Sequence, residues 1–174
     1  GLLDFARQRK PDKKEWDIHT LIDRTITLVE NQAPFQNIKI VKNFKPDVPM
    51  LFIDGDQIQQ VFMNIVINAA DAMAGNGGIL TIKTEVRDGR AEISFTDTGC
   101  GMTREQLSRL FTPFYTTKEI GKGTGLGLAI SYGIIQSHSG EIEAESETGR
   151  GSTLKVKLPI ESGNEAARSK EQRA

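Results

Sequence analysis

Two asparagines one helical turn apart, a carboxylate set before two glycines, and two further glycine clusters are the residues of this chain best suited to chemistry. Asn64 and Asn68 lie four residues apart, which on a helix puts both amides on one face. Met63, Ile65, Val66 and Ile67 around them are apolar, so the helix is expected to be buried all round. A buried amide without partners costs about 1–3 kcal/mol, so the pair needs either backbone partners or a ligand. An Asn carbonyl oxygen suits Mg²⁺, which takes oxygen ligands and keeps waters and substrate phosphates around it. Asp97-Thr98-Gly99-Cys100-Gly101-Met102 sets a carboxylate ahead of glycines that let the backbone turn tightly. That carboxylate can accept a hydrogen bond from an adenine amino group, or can simply cap the turn. Gly121, Gly123, Gly125 and Gly127 alternate with Lys122, Thr124 and Leu126 ahead of a helix. Free N–H groups at such a start bind phosphate, although the same glycines also suit a plain hinge. The spacing is not that of a P-loop. Lys118 and Lys122 flank the loop, and either reaches for a phosphate or stays a solvated surface lysine. Gly149-Arg150-Gly151-Ser152-Thr153 precedes a last strand-like run.

The elements that must position these groups follow from periodicity. Gly1 to Arg9 reads as the end of a helix, and Arg7 to Glu15, charged and containing Pro11, as a linker. Asp17 to Gln32 is helical, with Ile18, Leu21, Ile22, Ile26, Leu28 and Val29 on its apolar side, and Pro34 ends it. Ile38 to Phe44 alternates like a half-buried strand, and Met50 to Ile53 is a second. Asp56 to Met73 is the strongest helix, carrying the stripe Ile58, Val61, Phe62, Ile65, Ala69 and Ala72. Ile79 to Val86 and Ala91 to Thr96 form a hairpin turning at Asp88-Gly89. Thr103 to Phe111 is a short helix with Thr103 and Gln106 placed as a capping box. Phe114 to Gly123 is a polar loop, with Phe111 and Phe114 anchoring it to the core. Gly125 to Ser137 is a helix, and Glu141 to Ser146 with Thr153 to Leu158 a closing hairpin. His19 and His138, the only histidines, read as structural or surface residues, His138 at a helix end that favours a cation. The order predicts an α+β sandwich with helices on one sheet face.

Bulk properties narrow the class. The chain has 174 residues, 37% hydrophobic and 26% charged, the values of a globular protein with one domain plus tails. A net charge of −1 argues against a nucleic-acid binder that works by bulk charge. The single cysteine, Cys100, allows no internal disulfide and fits a reducing compartment. No apolar run approaches the ~18 residues of a membrane span. The segment after Pro159 is polar and aperiodic, and is expected to be disordered.

Taken together, these segments resemble the ATP-binding catalytic domain of two-component sensor histidine kinases, within the gyrase, Hsp90, histidine kinase and MutL superfamily. Residues 60–73 resemble its N box, Asp97 to Met102 its G1 box, Leu110-Phe111-Thr112-Pro113-Phe114 its F box, and Gly123 to Ala129 its G2 box. Gly149 to Thr153 resembles the last glycine motif. The resemblance spans residues 15–160. It implies a Bergerat-type α/β sandwich, α+β in class, with a mixed, mostly antiparallel sheet. It implies ATP and Mg²⁺ as cofactors: Asp97 on the adenine amino group, with Gly99, Gly101, Met102 and Phe111 nearby and Ser152 or Thr153 beside it. Asn68 would ligate the metal. Asn64, Asp71 and a basic residue, Lys118 or Lys122, would lie on the phosphate side. Gly123, Thr124, Gly125, Leu126 and Gly127 would meet the phosphates, and residues 103–124 would form a mobile lid.

Two departures from the family pattern carry consequences. Many sensor kinases place Lys three residues after the second N-box asparagine, where this chain has Asp71; Lys118 or Lys122 is then left to supply the positive charge. Hydrolytic relatives place Glu where Asn64 stands, and an amide cannot serve as general base. Transfer to a histidine is therefore expected over hydrolysis. Neither histidine lies in a phosphoacceptor motif, whereas Gly1 to Arg7 resembles the end of a dimerisation helix. The chain thus reads as three parts: residues 1–14 the end of that helix and a linker, 15–160 the catalytic domain, and 161–174 a tail. Its expected partners are the dimerisation/phosphoacceptor domain of the parent kinase and a downstream response regulator. The expected setting is cytoplasmic, with a monomeric fragment, and it leaves room for a parent anchored in the inner membrane. An anti-sigma-type serine kinase, a non-catalytic nucleotide module and a gyrase-like ATPase are the alternatives.

Overall fold

The computed structural model describes residues 9–118, 125–161, 168, 171 and 172. The dimerisation-helix remnant, Lys122, Gly123, Thr124 and most of the tail lie outside those residues. Strand β1 (Lys14–Trp16) leads into helix α1 (Ile18–Val29), whose N-cap Asp17 accepts the N–H of His19 at 2.9 Å. Ile18, Leu21, Ile22, Ile26 and Val29 are buried as the pattern predicts, but Leu28 is exposed and Thr25 takes the inward position. Pro34 opens a 3-10 turn at Ala33–Phe35, and β2 (Ile38–Phe44) and β3 (Leu51–Ile53) follow. Helix α2 spans Gly55–Ala72, β4 and β5 are Gly78–Arg87 and Arg90–Asp97, and α3 is Arg104–Ser108. Helix α4 (Gly127–Ser137) and strands β6 (Glu141–Glu147) and β7 (Gly151–Pro159) complete the order.

The sheet runs β2-β4-β5-β7-β6, with β2 parallel to β4 and the other neighbours antiparallel. Strand alternation divides it into two faces. Leu80, Ile82, Ile93, Phe95, Leu154, Val156 and Leu158 point to the helices and are buried, and Phe62 of α2 meets Phe95 at 5.4 Å between ring centroids. Burying each such aromatic contributes about 1.5–3 kcal/mol. Lys155, Lys157, Glu143 and Glu141 lie on the opposite, charged face, where Lys157 pairs with Glu143 at 3.0 Å. The mixed sheet with helices on one face is the architecture expected. Asp88 and Gly89 have φ of 53° and 73°, the left-handed pair that a two-residue hairpin turn needs.

Two expectations change. The linker ends earlier than Glu15: β1 pairs antiparallel with β3, Lys14 opposite Ile53 and Trp16 opposite Leu51. A three-residue strand has too little alternation to be read locally and exists because β3 offers it an edge. Helix α2 is not buried all round. Ile67 is 40% exposed and Asn64 and Asn68 are half-buried; the two asparagines meet the first turn of α4 and Lys118 rather than the sheet. In the tail, the N–H of Gln172 donates to the carbonyl of Arg168 at 3.1 Å. No helix among the described residues is long and apolar enough to cross a membrane.

The segment before α1 is stitched to the start of α2 at one residue. Asp54, the N-cap of α2, accepts the N–H of Gln57 at 3.1 Å, the Arg9 guanidinium at 2.9 Å and the N–H of Asp12 at 2.9 Å. Its own N–H donates to His138 Nε2 at 3.1 Å, and the Gln57 side chain donates to the Arg9 carbonyl. His138 is 2% exposed, with Nδ1 2.8 Å from the Ile134 carbonyl. Nδ1 therefore carries the proton and Nε2 accepts. Burial holds its pKa below the ordinary value; the Ile134 carbonyl and Asp54 oppose that shift and Lys13 adds to it. His138 is thus a neutral, structural imidazole rather than the cation that a helix end favours.

Candidate nucleotide site

Asp97 ends β5, at the centre of the sheet, and is 5% exposed. Its Oδ1 accepts the N–H of Gly99 at 2.9 Å. Burial pushes its pKa up, against the lowering effect of the backbone N–H groups of Gly99 and Ser152. Ser152 is its cross-strand partner, and therefore lies on the same face. Thr153 lies on the other face, where it bonds Thr96 at 2.9 Å. Of the two residues expected beside Asp97, the pleat places Ser152 there and removes Thr153.

The loop after Asp97 is tied at both ends. The N–H of Cys100 donates to the Ala72 carbonyl at the end of α2, and the Cys100 carbonyl accepts from Gly149 at 2.7 Å. Thr98 Oγ1 accepts the N–H of Ile79. Gly101, at φ 69°, runs against the Glu147 carbonyl so closely that a Cβ has no room. The N–H of Met102 donates to Ser146 Oγ, which lies 2.8 Å from Ser152 Oγ. Ser146 thereby links the G1-box loop to the Asp97 row. Ser146 is invisible as a site residue in the sequence, where it is one serine in an alternating strand.

The two asparagines have different partners. Asn64 Nδ2 donates to the Gly127 carbonyl at 2.9 Å and to Ser131 Oγ at 3.1 Å. It clamps the first turn of α4, whose N-cap Leu126 supplies no side-chain cap. Asn68 Oδ1 instead accepts from the ammonium of Lys118 at 3.3 Å, and Lys118 also pairs with Asp71 at 2.5 Å. Lys118 and Asp71, expected separately on the phosphate side, are thus brought together on Asn68. Among the described residues no group of three His, Cys, Asp or Glu is arranged to hold a metal. The donor present is one amide oxygen that already holds a cation, which suits a hard ion completed by waters and phosphate oxygens.

Two aromatic residues of the F box behave differently. Phe111 is half-buried and its ring lies 5.6 Å from that of Tyr132 on α4. Phe114 does not anchor through its side chain, which is 56% exposed. Its backbone does so: at φ 66° its N–H donates to the Gly125 carbonyl at 2.9 Å. This bond closes the base of the loop that contains Lys118. The capping box of Thr103 and Gln106 is present as read. Lys122, Gly123 and Thr124 fall outside the described residues.

Residues 53–162 match the family described as Histidine kinase-, DNA gyrase B-, and HSP90-like ATPase. The chain belongs to that family. It is accordingly an ATP-binding domain with the histidine kinase catalytic fold. It is 41% identical to Sporulation kinase E of Bacillus subtilis (strain 168) over 174 residues, which cover 98% of this chain and 23% of that protein. The catalytic domain of histidine kinase ThkA superposes with a TM-score of 0.75 at 30% identity, over 85% of this chain and 95% of that one. Full-length ShkA in complex with AMPPNP superposes at 0.79 with 26% identity, over 93% of this chain and 35% of that one. The chain spans well under half the length of the curated relatives it matches, 23% of Sporulation kinase E and 37% of Sporulation kinase C.

Proposed function

We propose that this domain binds ATP with Mg²⁺ and delivers the γ-phosphate to a histidine on a separate dimerisation/phosphoacceptor domain in two-component signalling. Asp97 would take the adenine amino group, with Gly99, Gly101, Met102 and Ser152 shaping that end of the pocket. Asn68 would hold Mg²⁺ through Oδ1. Gly125, Leu126 and Gly127, with Lys122, Gly123 and Thr124, would meet the phosphates. When bound, the metal offsets charge on the transferring phosphoryl group. The chain's own residues then act by positioning: Asn64 fixes the start of α4, and Lys118 brings a positive charge to the phosphate side.

The observation that carries transfer, rather than hydrolysis or self-modification, is the state of Asn64 and of the two histidines. Asn64 donates both of its amide contacts into α4 and offers no base to activate water. His138 is sealed in the core, and His19 stacks on Phe44 at 4.5 Å and bonds Thr84 at 2.7 Å. The phosphoryl group therefore has to leave this domain. A helical acceptor domain of the parent kinase, with a response regulator downstream and a cytoplasmic setting, completes the reading. The domain boundaries would be residues 15–160, with the preceding segment leading to the dimerisation helix.

The test is incubation with γ-labelled ATP and Mg²⁺, with and without a helical fragment carrying the acceptor histidine of a close relative. Acid-labile label on the added fragment with little free phosphate is expected. Abundant free phosphate from the chain alone would make it an ATPase instead.

A further inference from the structure

We propose that Lys118 is a built-in cation on the seat the divalent metal takes, held there by Asp71, so that this pocket can accept a nucleotide before the metal arrives. The inference rests on the pocket assignment above. The Lys118 ammonium contacts Asn68 Oδ1 at 3.3 Å and Asp71 Oδ2 at 2.5 Å. An ammonium only donates and a carboxylate only accepts, so the group that Asn68 turns toward the loop is its oxygen. That oxygen is the one a hard divalent ion would need, at about 2.0–2.1 Å. Ammonium and metal are thus alternative occupants of one acceptor.

Asp71 lies three residues after Asn68, on the same helix flank. It stands where a positive residue would put charge on α2 directly, and instead it draws positive charge in from the loop. The side chains of Lys118 and Asp71 are 32% and 43% exposed, and pairs this exposed add little to stability and exchange readily. The pair is therefore poorly explained as a stabilising contact and well suited to being handed over. A triphosphate without metal meets the Lys118 charge at Asn68. With Asn68 Oδ1 given over to a metal, Lys118 would retain its Asp71 contact and so stay on the phosphate side. Asp71 is in this sense a positioning residue that acts through Lys118.

The experiment is calorimetric titration of the chain with ATP, once in excess Mg²⁺ and once in EDTA, for the wild type, Lys118→Met, Asp71→Asn and the double variant. In EDTA, Lys118→Met is expected to bind about tenfold more weakly than wild type, the worth of one charge-assisted hydrogen bond, with a much smaller loss in Mg²⁺. Asp71→Asn should show the same selective loss, smaller in size, and the double variant should be no weaker than Lys118→Met alone. Lys118→Arg should retain binding in EDTA, and thermal unfolding should be unmoved in all variants. Equal losses with and without Mg²⁺ would make Lys118 an ordinary phosphate contact and overturn the inference. So would an unchanged affinity in EDTA, or losses at Asp71 and Lys118 that simply add. Wild type that binds no ATP in either condition would instead overturn the pocket assignment.

Discussion

Asp97 has to remain a carboxylate where little water reaches it. Its pKa is raised by burial, against the lowering pull of the Gly99 and Ser152 N–H groups. A raised carboxyl holds its proton more tightly folded than unfolded. Ionisation at neutral pH therefore costs folding free energy, and that cost vanishes as pH falls below the ordinary carboxylate value. Asp97→Asn, which keeps an oxygen for Gly99, is accordingly expected to raise the urea midpoint at pH 7. The same change should weaken ATP binding by about 10–100-fold, as loss of a charged hydrogen bond does. Unfolding curves and ATP titrations on the one variant check both halves. Unchanged affinity would remove Asp97 from the adenine end. Asp97 was legible in the sequence because carboxylate and glycines are neighbours there. Ser146, Ser131 and the Lys118–Asp71 pair were not, since each acquires its meaning from a residue far along the chain. Asn64 and Gly127 are 63 positions apart, and no local spacing announces their bond. The choice between Ser152 and Thr153 needed only the register of β7 against β5.

At the scale of elements, the loop after the F box is governed by its closure. Phe114 and Gly125 meet backbone to backbone, and Gly125 has φ 69° with no room for a Cβ against Phe114. Gly125→Ala should break that closure while leaving the core intact, because none of the described residues 112–118 belongs to the core cluster. The expected result is weaker ATP binding, by several-fold or more, with a thermal midpoint within a few degrees of wild type; a large loss of midpoint would mean the glycine serves the fold. Elements with strong periodicity, α2 and the two antiparallel hairpins, were readable because each carries its own apolar stripe or turn residues. Strand β1 was not, since three residues hold no period. The full burial predicted for α2 failed for a related reason: Ile67 is apolar and yet exposed, and apolarity does not say whether anything lies opposite.

For the whole molecule, the neutral His138 links stability to pH. A histidine whose pKa is lowered on folding contributes stability that is complete above its unfolded value, about 6.5. That contribution is lost as pH falls below that value, because the unfolded chain takes the proton first. Protonation would also set an N–H at Nε2 against the N–H of Asp54. Urea unfolding between pH 7.5 and 5 is expected to show falling stability, and His138→Gln should flatten that slope; an equal slope in the variant would locate the titration elsewhere. Trp16 tests the N-terminal seam in the same assay. Its ring lies against Gly55 and under the Arg24 guanidinium, 5.2 Å from the ring centre. Trp16→Ala should cost about 2–3 kcal/mol, less than a fully buried aromatic, and a change below half a kcal/mol would show the seam to be decorative. The same seam gives the molecule a mechanical property. Arg9 and Asp12 both grip Asp54, and from Asp54 to Asn68 runs one continuous helix, about 21 Å at 1.5 Å per residue. On the proposed function, a pull on Arg9 and Asp12 would be delivered to the butt of a stiff rod whose far end carries Asn68.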